Sequence, residues 1–98
     1  MTEASLQILA EIKSIPNGRV CSYREIAQAA GLPNGARMVA RILHTMSRSE
    51  NLPWHRVVRS DGCIALKPGS GFELQKALLE AEGHVVSEKG FVRLSSSH

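Results

Sequence analysis

From Gly35 or Ala36 to Thr45 or Met46 the residues sort by side. At roughly 100° per residue, Arg37, Arg41, His44 and Arg48 fall within an arc of about 60°. Val39, Ile42, Leu43 and Met46 fall on the opposite side. That pattern predicts a helix with one face in a core and a basic ridge outside. A solvated charged face is the plain alternative, but such faces mix signs for i,i+4 pairing, and this one carries no acid before Glu50. A second helix is marked just upstream. Ser22-Tyr23-Arg24-Glu25 is a capping box, the run Tyr23 to Ala30 is apolar at Ile26, Ala27 and Ala30, and Gly31 suits the stop. Gly31 to Gly35 reads as a tight turn in which Asn34 can cap the next helix. Helix, short Gly-containing turn and helix with a basic outer face form the helix-turn-helix pattern, whose second helix lies against a DNA groove. The first turn of that second helix offers Arg37 among Gly35, Ala36, Met38 and Ala40, which read no base code. Recognition of shape or damage fits it better than a sequence-specific operator.

The remaining segments read around this unit. Thr2 to Ser14 is an expected helix with an apolar stripe through Leu6, Ile8, Leu9, Ile12 and Ile15, stopped by Pro16-Asn17-Gly18. Arg19-Val20-Cys21 is a short extended piece. Asp61-Gly62 between Val57-Val58 and Cys63-Ile64 is a hairpin signal. Ala65 to Gly71 is a Gly- and Pro-containing loop with Lys67 near its middle. Ser70 to Glu73 reads as another capping box, ahead of a helix from Phe72 to Glu82 that Gly83 ends. Val85-Val86 and Phe91-Val92 can pair as a terminal hairpin or wing. The expected fold is mainly α with a small β hairpin or wing, a winged helix-turn-helix-like single domain over residues 1–98 with a frayed tail at about 95–98.

Composition narrows the classes of function. A chain of 98 residues makes one domain with one modest core. Net charge +3 and a pI near 9.2 are compatible with a polyanionic partner. Cys21 and Cys63 have no zinc or CxxC spacing, and His44, His55, His84 and His98 have no metal-ligand spacing, so neither a metal nor another cofactor is expected. Two thiols without a leader sequence suggest a reduced, cytoplasmic and nucleoid-associated protein. No apolar run approaches the ~20 residues that span a membrane, and no spare apolar helix suggests a dimer, so a monomer is expected.

Leu52-Pro53-Trp54-His55-Arg56-Val57-Val58 carries the most distinctive residue types. Trp54, the single Trp of the chain, is either a core anchor or the wall of a cavity, its flat face open to a planar ligand.

The order of these pieces resembles the C-terminal domain of the O6-alkylguanine-DNA alkyltransferases. The resemblance is carried by Ile15-Pro16-Asn17-Gly18-Arg19-Val20, Ser22-Tyr23, Ile26-Ala27, Gly31 and Ala36-Arg37. Pro53, His55-Arg56-Val57-Val58, Ser60-Asp61-Gly62, Leu78-Leu79 and Glu82-Gly83 continue it, so that about residues 6 to 84 are covered. The family's separate N-terminal domain has no counterpart in the sequence. One departure stands out. The reactive Pro-Cys-His-Arg-Val of the transferases reads Pro53-Trp54-His55-Arg56-Val57 here. An indole has no basic lone pair and cannot take an alkyl group as a thiolate does. Trp in that place is the mark of the alkyltransferase-like proteins, which bind alkylated DNA without repairing it. His55 and Glu82 remain as a vestigial relay, with no catalytic residue. An Asn that the transferases keep before this motif is replaced near Met46 or Ser47, which implies a different local turn network.

The resemblance also implies roles. Arg37 would enter the duplex and fill the gap left by an extruded base; Tyr23 would push the 3′ phosphate so that the nucleotide rotates out. DNA contacts would involve Tyr23, Arg37, Arg41, His44, Ser22 and Ala36. The base would enter a pocket formed by Tyr23, Leu43, Trp54, Val57 and the Ile64 to Gly69 loop, with Ile64 and Lys67 among its walls. The implied partners are double-stranded DNA containing O6-alkylguanine and the proteins of nucleotide excision repair. Two competing readings stay open: residual alkyl transfer through Cys63 or Cys21, and a helix-turn-helix transcription regulator.

Overall fold

The computed structural model describes residues 2–92, so the expected frayed tail lies outside the described residues. Four helices, α1 (Glu3–Lys13), α2 (Tyr23–Ala29), α3 (Ala36–Met46) and α4 (Phe72–Ala81), surround a parallel pair, β1 (Cys21–Ser22) and β2 (Val57–Val58). A single 3-10 turn, Trp54–Arg56, leads into β2.

Local chemistry fixes most of the boundaries. The Thr2 side chain accepts from the Ser5 amide and starts α1, and Pro16 follows its end at Ser14. The capping box of α2 forms in both directions: the Ser22 hydroxyl accepts from the Glu25 amide at 3.0 Å, and the Glu25 carboxylate accepts from the Ser22 amide at 2.8 Å. Two expected caps do not form. Gly35, not Asn34, precedes α3, and it contributes no side-chain hydrogen bond. At α4 the cap is Gly71 with φ 113°, a conformation that costs glycine least, so Ser70 lies one residue too early. The Glu73 carboxylate reaches back to the Gly69 amide at 3.0 Å instead.

The two-residue strands divide the interior. Successive side chains of a strand point to opposite faces. Val57 faces a cluster of Ile8, Leu9, Ile12, Ile26, Val39 and Ile42 from α1, α2 and α3. Val58 faces a second cluster, with Val20, Ile64, Leu79, Val86 and Val92. Leu6, assigned by periodicity to the α1 stripe, is 54% exposed.

The hairpin expected around Asp61-Gly62 forms only in part. Its turn closes through Arg59 N–H to the Cys63 carbonyl at 2.9 Å. Val57-Val58, however, pair in parallel with Cys21-Ser22, the arrangement suited to a strand buried on both faces. Cys63 bridges to Phe91 and Val86 to Val92, both antiparallel, which gives the expected wing with a third segment added.

The fold assigns Ser22 a structural task. Ser22→Ala should lower unfolding free energy by about 1 kcal/mol, the usual worth of such a cap, measured by urea denaturation. Loss of DNA affinity at unchanged stability would instead mark its hydroxyl as a DNA contact.

Candidate nucleic-acid interface

Pro53 sets the direction of the central stretch. Its φ of −77° and ψ of 62° are those of an inverse γ-turn, closed by the Trp54 amide donating to the Leu52 carbonyl at 2.8 Å. The 3-10 turn follows, closed by Arg56 N–H to the Pro53 carbonyl at 3.0 Å. His55 and Arg56 turn inward to Glu82, whereas Trp54 is half-buried, belongs to neither core cluster and lines an open cleft of ≈ 820 Å³. That volume lies within the ~300–1,000 Å³ common for small-ligand sites. Of the two readings of Trp54, the cavity wall is the one this geometry supports.

The inward side of the turn is held by charge. Glu82, next to the end of α4, accepts from His55 Nε2 at 2.7 Å, Arg56 Nη2 at 2.7 Å and the Gly18 amide at 3.2 Å. Arg56 Nε lies 3.0 Å and 3.1 Å from its two carboxylate oxygens. Arg56 also donates from Nη1 to the Ile15 carbonyl at 2.9 Å, which ties in the segment after α1. The Arg56 guanidinium, helped by His55 and the Gly18 amide, holds the Glu82 carboxyl down at about 2 against the cost of burial. Glu82 is therefore ionised at neutral pH, and His55 Nε2 is the donor in their contact.

The same side of the turn has a second tether that sequence reasoning missed. Gln75, 2% exposed, donates from Nε2 to the carbonyls of both His55 and Val57 at 3.0 Å. The signal was available, because Phe72, Gln75, Leu79 and Glu82 lie on one stripe at helical spacing. Two polar residues among those apolar positions mark a buried network.

The cleft draws its walls from several elements. Tyr23 of α2, Leu43 of α3, Trp54 and Val57 line it as expected. Leu66, Leu74 and Gln75 close the side formed by α4 and the loop before it. Two expected wall residues do not contribute. Ile64 is 4% exposed within the second core cluster, because its amide donates to the Gly90 carbonyl and turns the segment toward the wing. Lys67 is exposed and does not line the cleft. The segment between α3 and Pro53 is tied by the Ser47 hydroxyl donating to the Leu43 carbonyl and by the Leu52 amide donating to the Ser47 carbonyl.

Beside the cleft runs the basic ridge. Arg37, Arg41, His44 and Arg48 are all exposed, and His44 and Arg48 reach the cleft's rim. None of the three arginines forms an ion pair with a described residue, whereas Lys13, Arg59 and Lys76 each have an acidic partner. The start of α3 is open as well. The first turns of α1, α2 and α4 each contain an acid, and that of α3 contains none. An uncapped helix N-terminus with Arg37 in its first turn favours an anion from outside. Ala36 is half-buried and lines a smaller cleft shared with Tyr23. Ser22, expected among the DNA contacts, is 2% exposed and its hydroxyl is engaged in the cap. Burial pushes the Tyr23 phenol up, so it stays protonated and can donate.

The two thiols stand apart from this chemistry. Neither lines the cleft. Burial, with Glu25 nearby, pushes the Cys21 thiol up and disfavours its thiolate. Among the described residues no group of three His, Cys, Asp or Glu could share a metal ion, and no helix is long and apolar enough to cross a membrane.

The family model described as "6-O-methylguanine DNA methyltransferase, DNA binding domain" matches residues 3–84. The chain belongs to this family. It is 46% identical over 94 residues to a DNA base-flipping protein of Vibrio parahaemolyticus, covering 96% of this chain and 93% of that one. It is 36% identical over 84 residues to alkyltransferase-like protein 1 of Schizosaccharomyces pombe, covering 85% and 78%. The fold is likewise similar to that of S. pombe Atl1 in complex with damaged DNA containing O6-carboxymethylguanine. There the TM-score is 0.78 at 33% identity, over 97% of this chain and 91% of that one. The methyltransferase of Mycobacterium tuberculosis aligns with a TM-score of 0.65 at 30% identity, over 84% of this chain and 49% of that one. In this chain the residue between Pro53 and His55-Arg56 is Trp54.

The charge network gives a pH signature. Its contribution to stability is complete above the ordinary carboxyl value of 4.5 and is lost as pH falls toward about 2. Glu82→Gln should cost ~3–5 kcal/mol at neutral pH, because Arg56 is left without its counter-charge, and should flatten that acid limb. Denaturant melts of both proteins from pH 2 to 7 would check this; parallel acid limbs would contradict it.

Proposed function

We propose that the protein is a non-enzymatic sensor of O6-alkylguanine in duplex DNA, and that it flips the damaged nucleotide into the Trp54-walled cleft. The observation that carries this reading is the placement of Trp54: half-buried, outside both cores and lining an open cleft beside a row of arginines that form no ion pair with a described residue. The names of two relatives, a base-flipping protein and an alkyltransferase-like protein, support it.

The proposed mechanism uses each surface once. The ridge of Arg37, Arg41, His44 and Arg48 tracks phosphates and brings α3 to a groove. Tyr23 presses on the backbone beside the lesion, and Arg37 fills the space the base leaves. Flipping costs a few kcal/mol, less for a damaged pair. Stacking on Trp54 and contact of the alkyl group with Leu43, Leu66 and Leu74 offset it. No transfer follows, because the indole offers no nucleophile and the His55–Glu82 pair has no thiol to deprotonate. The bound complex bends the duplex and marks the site for nucleotide excision repair, and the protein works as a monomer. A sequence-specific regulator is disfavoured by an α3 first turn that offers small residues around one arginine.

Titration with an O6-methylguanine duplex and its unmodified counterpart, at fixed salt, tests this. The wild type should prefer the damaged duplex and keep its own mass in the complex. Trp54→Ala should erase most of the preference, and Arg37→Ala should weaken damaged-duplex binding by about 1–3 kcal/mol. Equal affinity of the wild type for both duplexes would refute the sensor, and a preference intact in Trp54→Ala would refute the pocket.

A further inference from the structure

Gln75 has a second polar end that the tether does not use. Both hydrogens of its Nε2 are committed, one to the His55 carbonyl and one to the Val57 carbonyl, each at 3.0 Å. Two carbonyls on one side settle which end of the amide is nitrogen, because an amide oxygen turned toward them would set acceptor against acceptor. Oε1 is therefore held on the other side of the amide. It accepts no hydrogen bond from a described residue. Among the described residues the one sealed side-chain nitrogen or oxygen without a partner is His84 Nε2, so Gln75 Oε1 keeps some open surface. Gln75 is 2% exposed, and the open space it borders is the cleft.

The wall of the cleft thus carries a fixed acceptor among apolar neighbours. Water can satisfy it while the cleft is open. Once a ligand displaces that water, the oxygen needs a donor from the ligand, because a buried polar group left unmatched is costly. The chemistry of the flipped base narrows the choice of donor. Alkylation at O6 takes the proton off N1, and N9 carries the sugar. The exocyclic 2-amino group is then the one hydrogen-bond donor left on the base.

We propose that Gln75 is a specificity-determining residue of the cleft, its Oε1 accepting from the 2-amino group of the flipped O6-alkylguanine. The assignment rests on the sensor reading above and adds to it the guanine half of the lesion. Gln75 is anchored on the carbonyl of the residue after Trp54, so a base stacked on the indole brings its edge, not its face, to Oε1. The 2-amino group is common to the lesion and to undamaged guanine. Gln75 therefore reads the parent base, whereas Leu43, Leu66 and Leu74 meet the alkyl group. A base without the amino group would bury Oε1 unmatched. A site built around a hydrogen bond rejects such an analogue far more strongly than an apolar wall rejects a missing methylene.

The test compares duplexes bearing O6-methylguanine or O6-methylhypoxanthine, which differ by that amino group alone, for wild type, Gln75→Lys and Gln75→Met. Lysine can still donate to the two carbonyls but offers no acceptor, so it separates the acceptor from the tether. Methionine removes both. Loss of the amino group also weakens the base pair in the free duplex, but by the same amount for every protein. The contact is read from the guanine-to-hypoxanthine affinity ratio of the wild type divided by that of a variant. This quotient should be about tenfold for each variant. A quotient of one in either variant would overturn the assignment, even with overall affinity lowered, since a tether alone moves both duplexes together. Should neither variant fold, NMR of the wild type decides. The Gln75 Cδ resonance moves downfield when its carbonyl accepts, so it should shift further with the guanine lesion than with the hypoxanthine one; equal shifts would overturn the proposal. A wild type that fails to prefer the O6-methylguanine duplex over unmodified DNA would overturn the sensor reading instead.

Discussion

The Glu82 carboxylate lies where three parts of the chain meet. Arg56 and His55 reach it from the 3-10 turn, Gly18 from the loop after α1, and Glu82 itself follows α4. Arg56 extends the join to the Ile15 carbonyl, and Gln75 pins the carbonyls on either side of Arg56. The side chains of Arg56 and Glu82 are only 16% and 10% exposed, so the pair is shielded from the screening that weakens surface ion pairs. The turn that carries Trp54 is thus tethered through the side chains of His55 and Arg56 and through the carbonyls of His55 and Val57.

This constraint gives His55 and Glu82 a structural task. The pair, 2.7 Å apart, helps hold the turn that carries Trp54. A flat side chain on a rigid turn suits binding, because a planar ligand then stacks without first ordering its partner. The division of labour follows from it. In the proposed function the cleft discriminates, and the exposed basic ridge, whose arginines form no ion pair with a described residue, supplies sequence-independent attraction. Membership of the methyltransferase DNA-binding family fits the same arrangement.

The sequence made much of this legible, and the gaps have physical causes. Helices with strong local signals were readable: the Ser22–Glu25 box and the two-sided pattern of α3 depend on residues three or four apart. The departures came where distant segments decide. Val57-Val58 carried a strand signal, but its partner Cys21-Ser22 lies far back in the chain, and no local turn announces a parallel pairing. The resemblance implied Ile64 as a pocket wall; its bond to Gly90 turns it into the second core instead. Gly71 displaced Ser70 as a cap through a left-handed φ that no neighbouring residue signals. For the site, Tyr23, Leu43, Trp54 and Val57 came together as expected. Leu74 and Gln75 were passed over because no local motif marks them, and only the packing of α4 beside the 3-10 turn brings them to the cleft.

Trp54 is the single Trp of the chain, so its emission reports the state of the cleft without interference from another indole. Steady-state fluorescence during titration with duplex DNA bearing one O6-alkylguanine therefore tests the central claim most directly. Stacking of a flipped purine on the ring should quench the emission in step with binding, and an undamaged duplex bound to the same extent should leave most of it. Saturating binding of the damaged duplex with the emission unaltered would mean that no base reaches Trp54, and would contradict the account.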